Sequence, residues 1–353
     1  MEDLAPLGWD RERAAELAAC GVPTLAPARV AVVYQDRLRV AGAASWAELS
    51  GRMRHAARSG LERPAVGDWV ALEPNESGMA TVHKILSRRT QLIRHAAGRR
   101  AEPQVIAANL DRVFLVTSAN REFNARRLER YLAAIRQSGA APGVVLNKID
   151  LCPDPAPLLE QIAALAPGVP TVAVSARERR GASSFRGLLR EGQTIALIGS
   201  SGVGKSTLIN WLFGQDIQAV RSIREGDAKG RHTTTHRELF VLAERPVADD
   251  EAGEVPLAGV LIDTPGMREL KLWGDAPALD ETFTDVEAAA AECRFRDCSH
   301  EHEPGCAVLE AVAAGRLTAE RVAGYRKLRL DQTTRARRFA SYRSRSGRTR
   351  TSN

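Results

Sequence analysis

The sequence predicts an α/β domain built on a mostly parallel sheet, with a small β-barrel before it and a compact α-helical, cysteine-bearing module after it. Three observations carry that expectation. Apolar residues recur at even spacings between Arg29 and Arg94, short apolar runs alternate with helical stretches from Gln104 onward, and three cysteines gather near the C-terminus. At about 100–200 residues per domain, the 353 residues make room for two or three domains. A composition of 44% hydrophobic and 26% charged residues excludes wholesale disorder. No apolar run approaches the roughly 20 residues of a membrane span. The start, Met1-Glu-Asp-Leu-Ala-Pro, lacks the basic and apolar parts of a secretory signal. Five cysteines without such a signal argue against a disulfide framework, so a cytoplasmic setting is expected.

Residues 1–27 read as an acidic, Ala-rich extension with a short helix around Arg11–Ala19 and no assigned chemistry. Residues 28–100 read as the barrel. Val30, Val32, Leu38 and Val40 alternate around a turn at Gln35-Asp36, Pro64–Leu72 turns into a strand, and Ala80–Leu86 forms another. Residues 101–288 carry the α/β rhythm. Arg112–Thr117 suits a buried parallel strand, and Asn124 can cap a helix bearing Leu128, Leu132 and Ile135, with Gly139 past its end. Apolar runs at Gly143–Leu146 and Thr171–Val174 follow, then a helix near Ser183–Arg190. The strand Thr194–Ile198 feeds a glycine loop and the helix Lys205–Phe213. Pro- and acid-rich residues 243–259 read as a hairpin tip between Glu238–Leu242 and Val260–Ile262. Residues 289–334 form the cysteine-bearing module, and the Arg/Ser/Thr-rich tail 335–353 is expected to be disordered without a partner.

Gly199-Ser200-Ser201-Gly202-Val203-Gly204-Lys205-Ser206 matches G-x-x-x-x-G-K-[ST], with an apolar strand before it and a helix, opening through Thr207, after it. Its glycines let backbone N–H groups close around phosphate oxygens, and the helix N-terminus adds partial positive charge. Lys205 is placed to reach the β/γ phosphates and Ser206 to ligate Mg²⁺. The base is named elsewhere: Asn147, Lys148 and Asp150 end a strand and resemble the N-K-x-D signature of GTPases. Asp150 can accept from guanine N1–H and N2–H₂, donors that adenine does not offer there. Val174-Ser175-Ala176 resembles the companion loop whose backbone N–H meets guanine O6.

Asp263-Thr-Pro-Gly266 resembles the D-x-x-G element, with Asp263 on Mg²⁺ through water and the Gly266 N–H at the γ-phosphate. Gly230-Arg-His-Thr-Thr-Thr235 would supply the first switch, with Thr234 or Thr235 on Mg²⁺. The order is unusual: Asn147–Asp150 precedes Gly199–Ser206 by about fifty residues, whereas common GTPases place the phosphate loop first. The domain therefore reads as a circularly permuted P-loop GTPase, a rearrangement folds tolerate where chain ends lie close together.

Cys293, Cys298, His300 and Cys306 supply three thiolates and an imidazole within fourteen residues, a closed tetrahedral set for one structural Zn²⁺. His302 and His232 are spare imidazoles that the spacing favours less. The whole layout, a β-barrel, a permuted GTPase with G-R-H-T-T-T and D-T-P-G, then C-x₄-C-x-H-x₅-C, resembles the bacterial RsgA (YjeQ) family from about residue 28 to 330. The resemblance implies an OB-fold barrel that binds RNA, a zinc-bearing C-terminal domain, and GTP hydrolysis stimulated by the 30S subunit and its 16S rRNA during late maturation. GTP and GDP are the expected ligands, Zn²⁺ and Mg²⁺ the metals, and a monomer the expected state, with no membrane partner. Charge agrees. Residues 321–353 carry eleven Lys/Arg against Asp331, a net of +10, which leaves −3 on the rest of a +7 chain. The position directly after D-x-x-G, where Ras-like enzymes hold a water-orienting Gln, is Met267. His232 is the candidate to position that water beside Lys205, with His236 second. Alternative readings are a permuted GTPase of large-subunit assembly, a GTP-dependent RNA-binding switch, and a zinc-delivery GTPase with an exchangeable metal.

Overall fold

The computed structural model describes residues 3–35, 37–57, 59–75, 78–95, 103–120, 123–213, 237–242, 246–264, 277–331 and 333. His232, Thr234, Thr235, His236, Gly266, Met267 and the tail 335–353 lie outside the described residues. Packing divides the chain into two units, residues 1–123 with 138–269, and residues 124–137 with 270–353.

The first unit opens with the extension. Its helix, Arg11–Ala18, starts where Asp10 Oδ1 accepts the Arg13 N–H at 3.0 Å. Five strands follow: β1 (Ala26–Val33), β2 (Leu38–Gly42), β3 (Trp46–Leu49), β4 (Trp69–Glu73) and β5 (Met79–Ile85). They pair in the order β1-β2-β3-β5-β4, and β4 returns to β1, so the sheet closes into a barrel with no free edge. β3 and β5 run parallel, and a bulge between Val30 and Val32 bends β1, which pairs with β2 and β4 in the barrel and, at Val32 opposite Glu238, with the strand Glu238–Leu242. Val30, Val40, Ala47, Val70, Leu72 and Val82 fill the interior, as the period-two pattern requires. The helix Gly51–Ala56, capped by Ser50, follows β3 and packs against β3 and β5. This is the five-stranded, partly Greek-key layout of an OB barrel.

A separate hairpin, β6 (Gln91–His95) with β7 (Pro103–Ala108), leads into the α/β core. Its strands are β8 (Arg112–Ser118), β9 (Ala141–Asn147), β10 (Thr171–Ala173), β11 (Thr194–Ile198) and β12 (Glu238–Leu242). After β12 come β13 (Val247–Asp249), β14 (Gly253–Val255) and β15 (Gly259–Asp263). The sheet order is β10-β9-β8-β11-β15-β12, all parallel except β12. β12 and β15 pair antiparallel as the expected hairpin, and within the stretch between them, read as its tip, β13 and β14 form a two-stranded sheet of their own. The loops after β9, β10, β11 and β15 all leave the carboxyl edge of the parallel strands, where open α/β sheets bind ligands. One expectation fails. Instead of a helix near Ser183–Arg190 there is only a 3-10 turn, Ala182–Phe185, followed by Gly187 at φ 80°. That left-handed residue ends any helical path, and Phe185 and Leu189 go into the core instead.

The second unit is helical. It comprises Ala125–Gln137, Pro277–Asp280, Thr284–Ala290, Ala307–Ala313 and residues 319–331. Asn124 caps the first of these through its Oδ1 and the Arg127 N–H at 2.9 Å, and Leu128, Leu132 and Ile135 are buried on it. Arg321 ties the unit together. It donates to Glu129 at 2.6 Å, to both Asp285 oxygens at 3.0 and 2.8 Å and to the Thr282 carbonyl at 2.9 Å, and it lies 4.4 Å over the Phe283 ring.

Candidate nucleotide site and metal centre

The loop between β11 and the helix Lys205–Phe213 is held by contacts that only glycine permits. At Gly199, φ is 147° and an added Cβ would lie 2.3 Å from the Val116 carbonyl oxygen. At Gly204, φ is 91° and a Cβ would meet Asn147 Nδ2 at 2.4 Å. Lys205 Nζ bends back over the loop and donates to the carbonyls of Gly199 and Ser200, both at 2.7 Å. Burial holds the Lys205 ammonium below its usual pKa, and Asp263 offsets part of that. A phosphate would exchange two neutral acceptors for an anion and favour the charged form further. Ser206 and Thr207 stand exposed on the first turn of the helix.

The guanine motif is tied to this loop directly. Asn147, buried at the end of β9, donates from Nδ2 to the Val203 carbonyl at 2.9 Å and accepts the Ala176 N–H on Oδ1 at 3.1 Å. One amide thus joins the phosphate loop, β9 and the 174–176 loop. Lys148, at φ 64°, sends its ammonium to the Gly202 carbonyl at 2.6 Å, which lays its stem across the site. Asp150 is braced by Ser175, whose hydroxyl donates to Oδ1 at 2.6 Å. Asp263 ends β15 in register with Leu197 of β11, and the neighbouring Thr264 hydroxyl fixes that edge by donating to the Leu197 carbonyl at 3.1 Å.

In the second unit the ligand atoms of Cys293, Cys298, His300 and Cys306 all lie within 4.8 Å of one another. Tetrahedral zinc with bonds of about 2.3 Å to sulfur and about 2.05 Å to nitrogen sets S···S near 3.8 Å and S···N near 3.6 Å. Observed separations are 3.9 Å between the Cys293 and Cys306 sulfurs, with 3.6 and 3.5 Å from those sulfurs to His300 Nδ1. The four residues fit the ion, and Nδ1 is the nitrogen facing it. Burial and the neighbouring Cys306 and Cys293 thiols push Cys298 up to about 12, so a divalent cation is what would hold it as a thiolate there. Burial lowers the His300 pKa, which keeps the imidazole neutral as a ligand must be. Glu303, unremarked in the sequence, shapes the ligand loop. It accepts from the Ser299 hydroxyl at 2.5 Å and from the backbone N–H groups of Ser299, Glu301 and His302 at 2.8, 3.0 and 3.2 Å.

A family model described as RsgA GTPase matches residues 85–273. A relative from Opitutus terrae, named small ribosomal subunit biogenesis GTPase RsgA, is 43% identical over 347 residues, which cover 95% of this chain and 91% of its own. A relative of the same name from Methanosarcina acetivorans is 46% identical over 290 residues, 82% of this chain and 74% of its own. The chain belongs to the RsgA GTPase family.

As an RsgA-family GTPase it hydrolyses GTP. Two solved structures share its fold. YjeQ from Thermotoga maritima has a TM-score of 0.60 at 24% identity, covering 86% of this chain and 97% of its own. YloQ, titled a circularly permuted GTPase, has 0.57 at 23% identity, covering 88% and 96%. The permuted fold, the closed barrel and a Cys₃His cluster suited to zinc are therefore established for this RsgA-family chain. Mg²⁺ is the metal this GTPase family uses with its nucleotide. No helix among the described residues is long and apolar enough to cross a membrane. Ser175 bracing Asp150 and the two-way bridge of Asn147 are partnerships that motif spacing alone does not reveal.

Proposed function

We propose that this GTPase acts on the small ribosomal subunit in its late maturation, binding the 30S particle and its 16S rRNA as a monomer and hydrolysing GTP under that particle's stimulation. The names of the relatives supply the ribosomal context, and the Asn147 bridge carries the nucleotide reading, because it joins the phosphate loop to the base-reading loops in one frame. In this reading Asp150 accepts from guanine N1–H and N2–H₂, Lys148 flanks the base, and the Ala176 N–H turns towards O6. Backbone N–H groups of Gly199–Ser206 and the helix N-terminus hold the phosphates, and Lys205 leaves its two carbonyls for the β and γ oxygens. Ser206, Asp263 through water, and Thr234 or Thr235 would hold Mg²⁺, which neutralises developing phosphate charge when bound. Water attacks the γ-phosphorus in line as the bond to the β–γ bridging oxygen breaks. Met267 cannot orient that water, so His232 takes the role and intrinsic turnover is slow.

The domain roles follow the same reading: 28–100 and 289–334 contact RNA, 101–288 hydrolyse GTP, and the tail 335–353 adds phosphate affinity. GTP turnover measured with purified 30S or 50S subunits tests it. A large increase with 30S alone is expected. An equal increase with 50S would favour the large-subunit alternative, and no increase with either would remove the ribosomal coupling.

A further inference from the structure

Between β12 and β15 the chain makes an excursion that the main sheet does not need. The β13–β14 hairpin stands on the core through Val247 and Val255, which pack in one cluster with Val174, Ala182, Phe185 and Trp211. The Trp211 indole N–H donates to the Ala248 carbonyl at 2.6 Å, fastening the hairpin to the helix that follows the phosphate loop. At the hairpin's turn lies Asp249, only 3% exposed.

Its carboxylate joins two segments. Oδ1 accepts the backbone N–H groups of Glu251 and Ala252, at 3.0 and 3.1 Å, within the hairpin's own turn. Oδ2 accepts those of Ala182 at 2.5 Å and Ser183 at 3.4 Å, at the start of the 3-10 turn. Beside it the Asp250 N–H donates to the Arg179 carbonyl at 2.9 Å, and Arg180 Nε reaches Glu251 Oε1 at 2.7 Å. Arg180 in turn exchanges two backbone hydrogen bonds with Ser175, at 3.1 and 3.0 Å. Ser175 is the residue that braces Asp150, and Ala176 the one bonded to Asn147. Burial alone would raise the Asp249 pKa, but these four N–H groups hold it below the usual carboxylate range, so the bridge is an anion at neutral pH.

We propose that Asp249 is a positioning residue for base recognition, fixing the 175–183 loop from behind so that Ser175 and Ala176 face the guanine. It touches no nucleotide atom itself. The proposal rests on the guanine reading of Asp150 and Ala176 given above. Asparagine in its place keeps the shape but has one acceptor oxygen, so either the hairpin pair or the 182–183 pair of N–H groups would face an NH₂ donor. The loop then loses its fixed end, and the base contacts must be ordered anew at each binding event.

The test measures GDP and 6-thio-GDP affinity, and GTP turnover, for Asp249→Asn. Expected are a GDP Kd raised about tenfold, in line with the loss of charge-assisted hydrogen bonds, an equal rise in KM for GTP, and kcat at saturating GTP unchanged. The preference for GDP over 6-thio-GDP should shrink, since it reads the O6 contact. A merely structural role would lower the unfolding temperature and leave the preference of the folded protein where it was. Arg180→Gln, which changes one half-buried side chain and leaves both Arg180–Ser175 backbone hydrogen bonds in place, should raise KM about two- to threefold by the same route. Unchanged GDP affinity and preference in Asp249→Asn overturns the proposal, as does an unchanged KM in Arg180→Gln if Asp249→Asn fails to fold. The guanine reading fails separately, by an Asp150→Asn variant that still prefers GTP to xanthosine triphosphate.

Discussion

Replacing Arg321 with Gln removes the cation on which the C-terminal unit is centred. The Arg321 and Glu129 side chains are 8% and 3% exposed and 2.6 Å apart, so the variant leaves a carboxylate buried without its partner. Breaking such a pair from one side costs about 3–5 kcal/mol. The effect carries a pH signature. The Glu129 pKa already lies above its usual value because burial outweighs the pull of Arg321. A carboxyl group raised in the folded state contributes its full stability below the unfolded value of about 4.3 and loses it as pH rises through the folded pKa. Without Arg321 the folded pKa climbs further, so the deficit should be largest near pH 7.5 and shrink towards pH 5, as Glu129 takes up a proton. Urea titration of the zinc-loaded protein, followed by zinc release to a chromogenic chelator, reports this unit. The difference from wild type at each pH cancels the proton dependence of metal binding itself. Adding Glu129→Gln to the variant should recover much of the loss at pH 7.5. A deficit below about 1 kcal/mol, the scale of an exposed pair, or one that does not change between pH 7.5 and 5, would refute the reasoning.

Asp150→Asn should fold normally and shift preference from GTP to xanthosine triphosphate, because an amide donates where guanine also donates; turnover with the two nucleotides checks it. Lys205→Ala should abolish turnover, losing the ammonium that lies 2.7 Å from two loop carbonyls and is poised to transfer to phosphate; wild-type rates would remove the phosphate-loop assignment. His300→Ala should drop zinc content towards zero and loosen the helices around it, since metal binding supplies folding energy; full occupancy by metal analysis would mean a different ligand set.

What the sequence made legible was local. Even spacing at Val30, Leu38 and Val40 announced strands facing one core, although the bulge after Val30 takes Val32, expected on the same face, out of that cluster; the glycines of the phosphate loop announced backbone that no Cβ tolerates. The zinc set was readable because its four ligands are close in sequence as well as in space. Illegible were the partnerships that folding creates between distant segments. Neither the parallel pairing of β3 with β5 nor the return of β4 to β1 that closes the barrel has a signature in the strands concerned. Arg321 and Glu129 are 192 positions apart, and a Glu within a helix pattern reads as a solvated face until its partner is known. Asp249, in an acid-rich stretch read as a hairpin tip, serves as a buried acceptor for four backbone donors. The helix expected near Ser183–Arg190 failed for a local reason: Gly187 adopts a left-handed conformation, and the apolar residues beside it serve the core without helical turns.

The permutation gives the central claim its form. The chain passes from Asp263 to Cys293 within about thirty residues, so the segment read as the γ-phosphate switch is one of three chain connections to the zinc-bearing unit, beside those at 123/124 and 137/138. If GTP orders that segment, it orders an RNA-binding surface with it, and linkage requires that GTP tighten 30S binding by the same factor that 30S tightens GTP binding. The measurement is the affinity of the full chain for purified 30S subunits, by sedimentation, with a non-hydrolysable GTP analogue and with GDP at matched salt. Tighter binding in the analogue state, weakening as salt rises, is the expected result. Equal affinity in the two states would contradict the switch and leave a GTPase that only resides on the particle.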